Sequence, residues 1–192
     1  MSRVLACVLL LGLAGCEPEP QVRTYTVAKA PAPAAAPATK AAMPADPALV
    51  AQAAASGSPR YPAAPAGWTA KDPGAMRKGS WTVAGPAGDA DLAVTVFPGD
   101  VGGRVANINR WRGQLGLPPG DAEMFDAIML AKVGATQGEV VDLRSADGKQ
   151  ATVAILARKG ESTWFLKLTG PAATVDAARA AFLGFAAATE LP

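Results

Sequence analysis

The chain has 192 residues and carries 18 Lys and Arg against 16 Asp and Glu, a formal net charge of +2. It contains no histidine and two cysteines. These counts argue against a zinc centre and against a nucleophile activated by histidine. A charge so close to zero also gives no basic surface of the kind that binds nucleic acid, so we expect no nucleic-acid partner.

The first predicted element is a signal peptide. Arg3 precedes an apolar run at residues 4–12, and small residues follow in Leu13-Ala14-Gly15-Cys16. This order of positive, apolar and small residues is typical of export signals. The run is too short for a membrane-spanning helix, which needs about 20 apolar residues. We therefore expect residues 1–15 to be removed.

The Leu-Ala-Gly-Cys ending resembles the lipobox of bacterial lipoprotein precursors. The resemblance implies that Cys16 is the lipid attachment site and carries acyl chains such as palmitate. Several acyl chains together would hold the mature protein on a membrane permanently. Glu17 follows Cys16, where Asp would imply retention at the inner membrane, so the resemblance favours the periplasmic face of the outer membrane.

An Ala- and Pro-rich segment extends from Cys16 to residue 65. Of the 49 residues that follow Cys16, 17 are Ala and 10 are Pro, a composition that predicts a disordered, flexible tether. Two local exceptions stand out. Residues 46–57 have the end signals of one short helix, with Asp46 as N-cap, Pro47 in the first turn and Gly57 as the stop. Residues 23–27 have the composition of a strand.

A single globular domain is predicted at residues 66–192. This segment holds all four tryptophans and all five phenylalanines, and its 13 basic residues balance 13 acidic ones. Alternation and turn residues predict strands at 76–83, 91–97, 128–133, 139–143, 151–157 and 163–169. Helical spacing predicts helices at 102–115 and from 170 to about 188. This order favours an α+β fold, one antiparallel sheet with helices packed on it.

Residues 91–97 are apolar on both predicted faces, which is typical of a central strand covered on two sides. In the last helix, Val175, Ala178, Phe182 and Phe185 form the predicted buried stripe.

The helix at 102–115 carries the candidate binding residues. Hydrogen-bonding side chains and one indole are concentrated there: Asn107, Asn109, Arg110, Trp111, Arg112 and Gln114. Exposed together beside a groove, such groups would suit a glycan, a peptide or a partner surface. In the other interpretation they bond neighbouring loops and cap strand ends, with Trp111 in the core.

Other chemistry receives weaker support. A carboxylate pair among Asp121, Glu123 and Asp126 could serve hydrolysis, but a solvated loop explains the same residues. The domain's serines lie in no Gly-x-Ser-x-Gly motif. The glycine-rich residues 99–104 could point amides at an anion, but a strand-to-helix turn requires glycine in any case. We predict no catalytic residue, no metal site and no cofactor.

Several segments of the domain resemble a family of uncharacterised bacterial lipoproteins or secreted proteins. They are Trp68, Met76-Arg77, residues 107–117, Asp142-Leu143 and residues 164–171. The order of elements is also similar to the α/β/α sandwich of PsbP and Mog-type proteins. That similarity implies a fold and carries no catalytic residues.

The sequence thus favours a lipid-anchored cell-envelope protein with a non-catalytic binding or assembly domain. Its partners would be the membrane, through the N-terminal lipid, and an envelope protein or a glycan. Two other hypotheses stay open, an envelope enzyme that uses carboxylate or Ser/Lys chemistry, and a purely structural envelope component. The sequence does not indicate an oligomeric state.

Overall fold

The computed structural model describes residues 47–74, 76–125 and 129–192. Three α-helices span Pro47–Ala55 (α1), Gly103–Gln114 (α2) and Ala172–Ala187 (α3). Seven strands span Trp68–Ala70 (β1), Arg77–Val83 (β2), Ala90–Pro98 (β3), Met129–Val133 (β4), Thr136–Arg144 (β5), Gln150–Lys159 (β6) and Ser162–Pro171 (β7). Among the described residues, no helix is long and apolar enough to cross a membrane.

The strands form one antiparallel sheet in the order β1-β2-β3-β7-β6-β5-β4. Tight turns join β4 to β5, β5 to β6 and β6 to β7. Gly134, Gly148 and Gly160 in these turns all have positive φ, a conformation that glycine adopts at little cost. Strand β3 pairs with β7, more than 60 residues further along the chain, so β7 lies at the middle of the sheet. The α+β prediction is confirmed.

Helices α1 and α3 cover one face of the sheet. The apolar side chains Leu92, Val94 and Val96 of β3 point to this face, as does Leu166 of β7, and all are fully buried. The predicted stripe of α3 packs on them, with Val175, Ala178, Phe182 and Phe185 buried. Two ion pairs also join α3 to β5, Arg144 to Asp176 at 2.7 Å and Arg179 to Asp142 at 2.8 Å.

Helix α2 lies on the opposite face of the sheet. Ile108 and Trp111 of α2 pack with Val141, Leu156 and Phe165 in a second, smaller apolar cluster. With helices on both faces, the domain is an α/β/α sandwich. Residues 91–97 form an internal strand between β2 and β7, as predicted; on the α2 side Ala93 is buried, whereas Thr95 and Phe97 are half-buried.

The packed part of the chain begins before residue 66. The predicted short helix is present as α1, and Ala53 within it is buried against the sheet. Tyr61 lies 4.9 Å from Trp81 and 5.8 Å from Phe185 between ring centroids. Arg60 pairs with Glu190 through both backbone and side chain. Residues 47–65, which composition assigns to the tether, thus contact the domain through a few apolar anchors.

Strand β1 was not predicted, because three residues are too few to show a periodicity. Strand β5 begins three residues earlier than expected, at Thr136. Ile128, the expected first residue of β4, lies outside the described residues, as do the strand-like residues 23–27.

Candidate binding site on α2

Helix α2 begins and ends at glycines with positive φ. Gly102 at its N-cap has a φ of 85° and Gly116 just after it has a φ of 70°. The Leu117 amide donates back to the Arg112 carbonyl at 2.9 Å, which satisfies one of the last free carbonyls. The predicted helix is therefore present, and its position fixes which side chains face the sheet.

Two of the six candidate residues are buried beneath α2. Trp111 is 5% exposed and meets Phe165 edge-to-face, with centroids 5.8 Å apart. Asn107 is 1% exposed, and its amide donates to the carbonyls of Val101 and Gly103 at 3.2 and 2.8 Å. A wholly buried amide needs such partners, because an unpaired one would cost about 1–3 kcal/mol.

Two further candidates hold the loop that follows the helix. The Asn109 amide donates to the Gly120 carbonyl at 2.8 Å, and the Gly120 amide donates to Asn109 Oδ1 at 2.8 Å. Arg112 Nε donates to the Pro118 carbonyl at 2.8 Å, and its guanidinium lies 5.9 Å from the centre of the Phe125 ring. These contacts match the interpretation in which the polar side chains bond neighbouring loops.

The last two candidates face solvent. Arg110 is exposed, and its Nη1 donates to Asn107 Oδ1 at 2.8 Å. Gln114 is exposed, and its Oε1 accepts from Lys167 Nζ at 2.9 Å. The six residues therefore do not form one surface, and the part available to a ligand is the side of α2 that carries Arg110 and Gln114.

A groove lies on each side of α2 because the helix covers only part of its face of the sheet. The larger groove has a volume of about 550 Å³ and lies toward β4 and β5. Its charged lining residues pair with each other, Arg158 with Asp100 at 2.8 Å and Arg104 with Glu139 at 3.9 Å. The larger groove is therefore electrically balanced.

The smaller groove has a volume of about 160 Å³ and lies toward β2, β3 and β7. Its cations are Arg77, Arg110 and Lys167, and no carboxylate is among the described residues that line it. The floor is aromatic, formed by Phe97, Trp111 and Phe165. Sequence reasoning missed Arg77 and Lys167, because only the pairing of β2, β3 and β7 brings them beside α2.

Asp91 lies next to the smaller groove and pairs with two cations. Its carboxylate accepts from Lys71 at 2.5 Å and from Arg77 at 3.2 Å, and Arg77 Nη2 lies 3.0 Å from the second oxygen. Partial burial acts to raise the pKa of Asp91, but the bonds and charges of Lys71 and Arg77 outweigh it and hold the pKa below its usual value.

The residues considered for catalysis have ordinary structural contacts. Asp121 accepts from the Met124 amide at 3.0 Å at the start of a short 3₁₀ turn, and Glu123 in that turn is exposed. Ser80 is buried and accepts from Arg77 at 2.8 Å. Within the described ranges, no group of three or more acidic or thiol side chains could hold a metal ion. Asp126 and Cys16 lie outside the described residues.

No protein-family model matches the chain, and no curated protein matches it. Similar solved structures include PsbP of Synechocystis sp. PCC 6803, with 12% identity and a TM-score of 0.45, covering 70% of this chain and 91% of PsbP. LpqN, which is involved in cell envelope biogenesis of Mycobacterium tuberculosis, has 17% identity and a TM-score of 0.41, covering 71% and 86%.

A third similar structure comes from Bacteroides thetaiotaomicron, with 14% identity and a TM-score of 0.40, covering 71% of this chain. The match includes 49% of the Bacteroides protein, so this chain spans about half of its length. At these identities the likeness concerns the fold alone.

Proposed function

We propose that this protein is a lipid-anchored component of the cell envelope whose domain binds another envelope component without transforming it. The anchor rests on the sequence, since Leu13-Ala14-Gly15-Cys16 has the lipobox pattern after a signal-like apolar run. By the same pattern, Glu17 favours the periplasmic face of the outer membrane. An envelope protein or a glycan is the expected partner.

The observation that carries the binding role is the uneven charge beside α2. Arg77, Arg110 and Lys167 line one groove, and among the described residues no carboxylate lines it, although Asp91 beside it pairs with Arg77 and Gln114 accepts from Lys167. A concave, cationic surface over aromatic side chains is suited to recognition of a partner. Arg110 is the central residue of this surface, since it is exposed and held in place by Asn107.

Two acidic side chains, Asp91 and Asp147, are unsuited to general acid catalysis. A general acid needs a carboxyl group whose pKa is raised toward neutrality, as burial among apolar residues would do. The pKa is lowered at Asp91 and at Asp147, so neither carboxyl group is suited to act as a general acid near neutral pH. Ser145, the partner of Asp147, is used in a turn.

Photocrosslinking in cells tests this proposal. Benzoylphenylalanine replaces Gln114, which is exposed beside the smaller groove, and in a control chain replaces Ala180, which is exposed on α3. We expect a discrete covalent adduct of the membrane-bound protein at position 114 and none at position 180. Equal labelling at both positions, or none at position 114, would contradict a specific binding surface on α2.

A further inference from the structure

Residues 47–61 form a strap that lies on the α3 face of the sheet, ahead of the first strand. Its helix α1 has 9 residues, and a helix of that length is only marginally stable by itself. Among the α1 side chains that the structure describes, Ala53 is the buried one. Lys78 Nζ also donates to the Ala54 carbonyl, at 3.4 Å, a long hydrogen bond. The position of the strap therefore depends on contacts further along it.

Tyr61 is the aromatic anchor of the strap. Its ring meets Trp81 edge-to-face, with ring centroids 4.9 Å apart, and stacks on Phe185 at 5.8 Å. Gly79 of β2 leaves room for this ring, since a Cβ atom at Gly79 would lie 2.7 Å from the Tyr61 hydroxyl oxygen. Glycine inside a strand often marks such a close approach. The sheet thus has a site that fits the Tyr61 side chain.

The same site leaves the Tyr61 hydroxyl without a hydrogen bond. Its oxygen is buried, and no residue in the described part of the chain bonds it. Burial also raises the pKa of the Tyr61 phenol, so the group stays neutral. Water would bond the hydroxyl once the strap left the sheet, so the hydroxyl opposes docking. The aromatic contacts of Tyr61 hold the strap, while its hydroxyl weakens the hold.

The strap is also joined to the C-terminal residues of the domain. Arg60 and Glu190 exchange two backbone hydrogen bonds of 2.9 Å, and their side chains form an ion pair. The two side chains are 80% and 61% exposed, and an ion pair so exposed adds little to stability. The two backbone bonds form an isolated bridge between short segments. This junction fixes the register of the strap but holds it weakly.

We propose that residues 47–61 are a detachable strap, which leaves the α3 face while the sheet stays folded. Release would expose the ring faces of Trp81 and Phe185 that Tyr61 covers. An extended chain spans about 3.4 Å per residue, so the released strap would add up to about 50 Å to the chain that leads into the domain.

The role of the strap rests on the proposed function, because it requires an anchored N-terminus. In an anchored protein, a load along the leading chain reaches α1 before it reaches the sheet. Segments with few buried contacts open at lower free energy than the core does. The strap would therefore let the domain move further from the membrane before the sheet unfolds.

Thiol labelling measures the opening of the strap in the folded protein. Ala53→Cys is made in the full chain with Cys7→Ser and Cys16→Ser, so that the introduced thiol is the only one. The control is Ala186→Cys, at a position buried on α3. We expect labelling at position 53 to be at least about a hundredfold faster, because local opening costs less than unfolding. Equal rates would overturn the proposal, since both thiols would then become accessible only on global unfolding.

Variants of Tyr61 have opposite expected effects on the labelling of Ala53→Cys. Tyr61→Phe removes the unpaired hydroxyl and keeps the ring, so labelling should slow by about tenfold. Tyr61→Ala removes the ring contacts and should speed labelling by at least about tenfold. The matched control Tyr25→Phe should leave the rate unchanged. Faster labelling in Tyr61→Phe, or parallel changes at Ala186→Cys, would contradict local release of the strap.

Optical tweezers measure the added length. Handles at the N-terminus and at Gln114→Cys, again with Cys7→Ser and Cys16→Ser, apply a load between the expected anchor and the proposed binding surface. We expect a reversible extension of about 40–50 Å before the main unfolding event, at a higher force in Tyr61→Phe. Unfolding in one step would overturn the proposal. Both tests use chains without a lipid, so their outcome is independent of Cys16 acylation and of crosslinking at position 114.

Discussion

Asp91 on β3 holds Arg77 of the neighbouring strand β2 at 3.0 Å, beside the groove that α2 leaves open. Lys71 pairs with the other oxygen of the same carboxylate at 2.5 Å. The Asp91 carboxylate thus fixes Arg77 at the edge of the groove. Because protonation of Asp91 would weaken both ion pairs, the contact is sensitive to acid.

The first prediction concerns Asp91→Asn and stability. Since Lys71 and Arg77 lower the pKa of Asp91, the unfolded chain binds the proton more readily than the folded domain. The stabilisation is therefore present above the ordinary Asp pKa of about 3.9 and is lost as the pH falls through the lower folded value. Urea unfolding should show a loss of about 1 kcal/mol at pH 7 and a shallower decline between about pH 5 and pH 2. An unchanged acid dependence would contradict this role.

The second prediction concerns Trp111, which we place in the core. Trp111→Ala should lower the free energy of unfolding by about 3–5 kcal/mol, because a large buried ring leaves a cavity against Phe165. Chemical denaturation measures this loss. A loss below about 1 kcal/mol would mean that Trp111 is available to a ligand and is not a core residue.

The third prediction separates loop support from ligand contact on α2. Asn109→Ala removes both bonds to the Gly120 backbone and should cost about 1–2 kcal/mol. Gln114→Ala is the matched control on the same helix, and its exposed side chain should change stability by no more than about 0.5 kcal/mol. Equal thermal or urea stability of the two variants would show that the Asn109 bonds are not structural.

The fourth prediction compares two turn glycines. A methyl group at Gly134 would lie 2.6 Å from the Thr189 carbonyl, whereas at Gly148 nothing lies within 4 Å. Both residues have positive φ, so alanine costs about 1–2 kcal/mol of backbone strain at each. Gly134→Ala should lose at least about 1 kcal/mol more than Gly148→Ala in urea unfolding. Equal losses of unfolding free energy in the two variants would mean that the backbone at Thr189 moves away from the added methyl group at little cost.

The fifth prediction tests the anchor. Cys16→Ser should abolish incorporation of labelled palmitate and release the protein from the membrane fraction, because Cys16 is the expected attachment point of the acyl chains. Cys7→Ser, within the expected signal peptide, is the matched control and should leave the acylated mass unchanged. Intact mass spectrometry makes the measurement. Unchanged membrane retention without acylation would overturn the lipoprotein assignment.

The sequence predicted those helices and strands in which apolar side chains recur at a regular spacing over several residues. The stripe of α3 at Val175, Phe182 and Phe185 is an example, because burial of one helix face imposes the repeat. Strand β1 was not predicted, because it is stabilised by pairing with β2 and its own sequence has no alternation of apolar and polar residues long enough to recognise.

The candidate site was predicted only in part for a related reason. The candidate residues of α2 lie close together in the sequence, so Arg110 was among those predicted. The sequence did not show that Arg110 is exposed whereas Asn107 and Trp111 are buried. Arg77 reaches the groove because it pairs with Thr95, which pairs in turn with Phe165. Such register between distant strands depends on the whole sheet and leaves no local signal.

Helix α1 enters the domain on the α3 face, whereas both grooves open on the α2 face. A full sheet thickness thus separates the point where the leading chain joins the domain from the surface that would receive a ligand. If the residues before α1 act as a tether, a pulling force on the tether would not close the grooves. A large partner would then dock on the α2 face without displacing the tether.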